Sequence, residues 1–137
     1  MIFLVPGDPT GKGRPKFSTS RGYVHAYTPE KTQKYELSVK SSYLLAGGRK
    51  MEGPIRISVT AYFRIPKGTS KVKRWLMVQG GLLPAKRPDA DNILKVILDG
   101  LNRVAYEDDA QVTAIDIKKR YTDGSPYVRV EVTTDEG

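Results

Sequence analysis

Cysteine is missing from the whole 137-residue chain, and histidine occurs once, at His25. Without thiols, disulfides, zinc ribbons and thiolate nucleophiles are excluded, and a cytoplasmic setting fits. A lone histidine also rules out HExxH zinc sites and any chemistry that needs a histidine pair. Long apolar runs are missing too: no stretch approaches the roughly 20 residues of a membrane span. The opening "MIFLVPGDP" has no basic lead-in, so it reads as a strand and not as a signal peptide. Acids are the scarcer charge, 15 Asp and Glu against 23 Lys and Arg, for a net charge of +8. That excess suits a polyanion, with nucleic acid the first candidate, and ordinary solubility charge explains it equally well.

What is present reads as a single domain over residues 1–137, long enough to bury a core unaided. "IFLV" is a short apolar strand ended by Pro6-Gly7. Residues 6–22 are rich in Gly, Pro, Ser and bases, which predicts a loop or loose hairpin, with "YVHAY" as a brief strand after it. Thr28 followed by Pro29 and Glu30 predicts a helix start with Thr as N-cap, running to about Ala46 and stopping at Gly47-Gly48. "PIRISVTAYFRIP" (54–66) alternates strictly and is the strongest strand signal in the chain. Residues 70–81 predict a short helix closed by glycines, with Trp75 in the core. From Asp91 to about Val104, Ile93, Ile97 and Leu101 fall on one buried helical face. Two last strands flank "YTDGSP" as a terminal hairpin. The expected fold class is α+β, a mixed or antiparallel sheet with helices packed on one face.

The acids are grouped: Asp89 and Asp91 before this third helix, Glu107, Asp108 and Asp109 after it. Helix-dipole preference covers the first group, with Asp91 as a side-chain cap, but acids beyond a helix C-terminus gain nothing from the dipole. A hard cation such as Mg²⁺ takes carboxylate oxygens, and a D-x-D pair meeting a third Asp would supply them. Exposed turn residues explain Asp108 and Asp109 as well. Lys95, four residues after Asp91, is either its surface ion-pair partner or an ammonium beside a metal-bound phosphate. Asp99 reads as structural, and Asn92 as either a helper to a ligating carboxylate or an ordinary first-turn residue.

"GDPTGKG" imitates a phosphate-binding loop but fails on count, since three residues separate Gly7 from Gly11 and no Ser or Thr follows Lys12. A nucleotide cofactor is therefore not expected. Lys12, Arg14, Lys16 and Arg21, with Phe17 and Tyr23 between them, read as a DNA-backbone arm. Lys86 and Arg87 would hold phosphates just ahead of the acids.

"PDADNILKVILDGLN" followed by "YEDDAQV" resembles the central signature of the RusA family of Holliday junction resolvases. "VPGDPTGKGRPKF" and "AYTPEKTQKYE" are similar to the opening of phage and bacterial members. The resemblance implies a homodimeric, Mg²⁺-dependent endonuclease, with Mn²⁺ as a possible substitute, that nicks four-way junction DNA symmetrically during recombination and repair. It maps the metal ligands to Asp89, Asp91 and Asp109, with Asp108 as the alternative third ligand, and the catalytic lysine to Lys95. Where relatives often carry Gly after "LN", Arg103 stands here. A bacterial, phage or prophage origin follows from the same resemblance. The competing reading is a non-catalytic basic module that binds DNA or RNA and whose acids bind nothing.

Overall fold

The computed structural model describes residues 1–20 and 22–137, so Arg21 of the expected DNA arm lies outside the described residues. Among the described residues, six strands and three α-helices follow in the order β1 (Ile2–Pro6), β2 (Lys16–Ser20), β3 (Tyr23–Tyr27), α1 (Glu30–Leu45), β4 (Ile55–Arg64), α2 (Lys71–Gln79), α3 (Ala90–Leu101), β5 (Val112–Thr122) and β6 (Tyr127–Thr134). β2 and β3 form a separate two-stranded hairpin, and the other four strands make a mixed sheet ordered β1-β6-β4-β5.

The alternation of β4 fixes its place. Ile55, Ile57, Val59, Ala61 and Phe63 all point into the core, beside Val128, Val130 and Val132 of β6 and Phe3 and Val5 of β1. Such a face is buried best with a neighbour on each side, and β4 takes the second position in from one edge. This overturns the expected terminal hairpin. β5 pairs parallel with β4, in register from Arg56↔Ala114 to Arg64↔Thr122, and β6 pairs antiparallel on the other side of β4. A parallel pair needs a crossover, and the segment containing α2 and α3 is that crossover.

α1 and α3 pack on the core face of the sheet. α3 buries Ile93, Val96, Ile97 and Leu101, as its apolar spacing predicts. α1 contributes Tyr35, Val39 and Tyr43. The two helices touch at Gly100, where a side chain has no room: an added Cβ would lie 2.7 Å from Val39 Cβ and 3.0 Å from the Glu36 carbonyl oxygen.

Three local expectations shift. α1 starts one residue later than expected, with Pro29 rather than Thr28 at the cap position and no side-chain cap bond; the Thr28 carbonyl accepts from Gln33 Nε2 at 2.7 Å instead. α3 starts at Ala90, so Asp89 rather than Asp91 occupies the cap position, and neither side chain caps the helix. Trp75 is not core. It is 61% exposed, because α2 buries only Met77.

Lys12 does not join a DNA arm either. Its ammonium lies between Glu36 of α1 at 2.5 Å and Asp99 of α3 at 2.9 Å, with the lysine side chain only 20% exposed. The Lys12 N–H donates to the Asn92 carbonyl (2.9 Å) and the Gly13 N–H to Thr32 Oγ1 (3.1 Å), so residues 7–13 form a strap across the two helices. A Cβ at Gly11 or Gly13 would strike Pro88 and Asn92, or Thr32 and Pro29. The glycines that imitate a phosphate loop are there for close packing. Asp99 is structural, as expected, with the strap as its partner.

Burial by itself would lower the Lys12 pKa, but the hydrogen bonds to Glu36 and Asp99 outweigh it and leave the group raised. A raised folded-state value means that this stabilisation is complete below the unfolded lysine value, near 10.4, and is lost as pH climbs through the folded one. Lys12→Ala should lower the unfolding free energy by about 2 kcal/mol at neutral pH, since it leaves two half-buried carboxylates facing each other. Urea melts of both proteins should show that gap narrowing in strongly alkaline buffer; a gap that does not change with pH would contradict the ion-pair account. Gly100→Ala gains about 1 kcal/mol in helix propensity but forces apart a backbone contact at a cost of about 1–3 kcal/mol. A net loss in thermal stability is expected, and a stabilised variant would show that α1 and α3 yield without strain.

Candidate active site

Asp89, Asp91 and Lys95 stand together at the start of α3, on its exposed side. None of the three makes an ion pair among the described residues. The surface pair expected between Asp91 and Lys95 does not form. Two carboxylates and an ammonium thus remain unpaired within about two helical turns.

Asp108 and Asp109 emerge at the other end of α3. That helix has 12 residues, which at 1.5 Å per residue separates its ends by about 18 Å. Metal–oxygen distances are only about 2.0–2.6 Å. Asp109, within electrostatic reach of Asp99 in the last turns of α3, thus stands apart from Asp89 and Asp91 at its start. Accordingly, no group of three acidic, histidine or cysteine side chains among the described residues is placed to hold a metal ion. Within one chain the expected ligand set is brought together only in part.

The second acidic group sits in a built turn. Asp108 precedes a single 3-10 turn, Asp109–Gln111, and its carboxylate accepts from the Ala110 N–H at 3.1 Å. Gln111 organises the rest. Its carbonyl oxygen accepts from the Glu107 and Asp108 N–H groups at 2.8 and 3.2 Å, while its amide donates to the Met51 and Gly53 carbonyls at 3.2 and 3.0 Å. Glu107 pairs with Lys50 at 2.7 Å. Gln111 was visible in "DDAQV" without an evident role, because its partners lie about 60 residues away in sequence.

The turn gives the two aspartates different characters. Asp108 is lowered, chiefly by the Ala110 N–H and then by the neighbouring carboxyl. Asp109 is raised, first by its hydrogen bond to Asp108, with the charges of Asp108 and Asp99 adding to it. Asp108 is thus tied to the backbone of the turn, and Asp109 to Asp108. Just before the turn, Arg103 adopts φ 70°, the left-handed conformation that glycine takes without strain. Tyr106 anchors the same segment from the core, its hydroxyl donating to the Leu98 carbonyl at 2.7 Å.

The basic residues divide by role. Arg87, joined to Pro88 by a cis peptide, borders the same cleft as Asp89, and Lys86 rests over the rings of Phe63 and Tyr121 at 5.9 and 5.7 Å. Lys119 of β5 donates to the Lys86 carbonyl, which ties this approach loop to the end of the sheet. Lys16 and Phe17, expected in the DNA arm, sit on the β2–β3 hairpin, where Phe17 is 71% exposed. Arg14 lies between strap and hairpin and is exposed.

Sequence comparison agrees with the signature. The profile of the family Endodeoxyribonuclease RusA matches residues 6–133. The chain is 35% identical over 136 residues to a Bacillus subtilis (strain 168) protein described as Uncharacterized protein YqaN, covering 95% of this chain and 93% of that one. This chain belongs to the RusA family of Holliday junction-resolving endodeoxyribonucleases.

Proposed function

We propose that this chain is a divalent-metal-dependent endonuclease that nicks four-way DNA junctions in pairs, acting as a homodimer in the cytoplasm of a bacterium. The observation that carries the reading is the unpaired trio at the start of α3, within a chain matched by the RusA family over nearly its whole length. Unpaired exposed carboxylates next to a free ammonium suit a cation and a phosphate better than they suit folding. Mg²⁺, or Mn²⁺ in its place, would be held by Asp89, Asp91 and Asp109. Such an ion polarises a phosphodiester and lowers the pKa of bound water. Lys95 offsets charge that grows on the scissile phosphate in the transition state. The β2–β3 hairpin, Lys86 and Arg87 hold the backbone of the arms.

The separation of the acids along α3 supports a site shared within the dimer. Asp109 of a second copy would then complete the set at the start of α3. The free edge of β5, with Ile115 44% exposed, and the exposed Val72, Trp75 and Val78 of neighbouring α2 offer that copy a seat. Against that edge an antiparallel copy carries its own Asp109 toward the end of the sheet where Asp89 stands. One dyad then gives two sites, one for each of two symmetric nicks.

A synthetic four-way junction incubated with Mg²⁺ or with EDTA tests the activity. Paired nicks are expected only with metal. Asp89→Asn, Asp91→Asn and Asp109→Asn should each lower the nicking rate by about 10²-fold or more while junction binding survives. Lys95→Ala should lower the rate more than the affinity. Tight junction binding without nicking in either metal would make the chain a non-catalytic DNA-binding module. Preference for structured RNA without cleavage would point to an RNA-associated protein.

A further inference from the structure

Beside Asp89 the surface sinks into a cleft of about 520 Å³, walled by the strap, the start of α1 and the start of α3. Its lining is basic. Arg14, Lys31 and Arg87 border it, and none has an ion-pair partner among the described residues. Lys31 is the informative one. A cation in the first turn of a helix opposes the dipole, at a cost of about 0.3–1 kcal/mol. Its acidic neighbour Glu30 does not relieve that cost, because Glu30 pairs with Lys34 at 3.1 Å. Both helices also begin here without a side-chain cap bond. Three unpaired cations around a cavity of small-ligand size call for an anion larger than a lone oxyanion.

The cleft is continuous with Asp89, and Gly11 and Gly13 form part of its wall because side chains would not fit there. We propose that it is a subsite for one nucleotide of the cleaved strand, the nucleotide adjoining the phosphate at Asp89, with Lys31 holding its own phosphate. This rests on the endonuclease reading and adds to it a positioning residue, Lys31, and a seat that fixes the strand relative to the acids. The hairpin and Lys86 grip duplex arms by charge, whereas the cleft takes a single strand by shape as well.

The test uses the full-length protein without metal and a thymidine bisphosphate, phosphorylated at both sugar hydroxyls, as the probe. Amide resonances of Gly11, Gly13, Lys31 and Asn92 should move on titration. Lys31→Glu should weaken binding by about tenfold or more, and Lys31→Arg should restore most of it. On junction DNA, Lys31→Ala should raise the concentration needed for half-maximal nicking and reduce the salt slope of binding by about 0.7, the value for one contact to a single strand. Shifts confined to another surface, equal affinity for inorganic phosphate, or no effect of Lys31→Glu would each overturn the subsite. The two readings fail separately. A protein that binds the bisphosphate in the cleft but never nicks a junction loses the endonuclease reading only, and one that nicks without filling the cleft loses the subsite only.

Discussion

The length and stiffness of α3 set the terms for everything around it. A hydrogen-bonded helix of 12 residues does not shorten to let its ends meet. It carries Asp89, Asp91 and Lys95 at one end and delivers the Asp108–Asp109 turn from the other. The buried stripe of Ile93, Val96, Ile97 and Leu101 clamps it to the sheet, and Gly100 lets α1 lie directly against it. Each end is therefore fixed to the core more firmly than surface carboxylates usually are. This separation of the acids is the ground for proposing a site shared between two copies of the helix.

Lys12 links this rod to the rest of the chain. Its ammonium joins α1 to α3, and its backbone and that of Gly13 bind the same two helices. Holding the strap down also shapes the cleft beside Asp89. Arg14, Lys31 and Arg87, bordering the cleft beside Asp89, and Lys95 on α3 have no ion-pair partner among the described residues. Pairing those cations internally would have stabilised the monomer slightly at most, since exposed pairs contribute about 0–1 kcal/mol. Leaving them open costs little in folding and concentrates positive potential where a phosphate backbone would lie.

Local periodicity made much of the fold legible. The alternation of β4 and the spacing of Ile93, Ile97 and Leu101 forecast both core faces, and glycines marked the ends of α1 and α2. What was not legible is long-range. The order of strands placed β4 between β5 and β6, although only four residues connect those two, because burial of β4 outweighs the short turn. The role of Lys12 depends on carboxylates that no local pattern marks as its partners. Trp75 reads as core by size, yet α2 turns it outward. For the candidate site, the signature around Asp89 and Asp109 located the acids, whereas the distance between them emerged only with the helix in three dimensions. Gln111 and Lys31 were hidden for the same reason, since each matters through neighbours distant in sequence.

The claim that one chain's Asp109 completes the site of the other is tested most directly by a mixed dimer. Asp89→Asn and Asp109→Asn chains, co-expressed with different tags and purified through both, form dimers in which every chain carries one lesion. If the site is shared, one position in the dimer holds both lesions and the other is intact. The mixed protein should then bind one Mn²⁺ tightly per dimer and nick one strand of a four-way junction, although each parent does neither. If each chain holds a complete site of its own, both sites are damaged. Inactivity of the mixed dimer, under conditions where the wild-type protein binds two Mn²⁺ ions and makes paired nicks, would contradict the account.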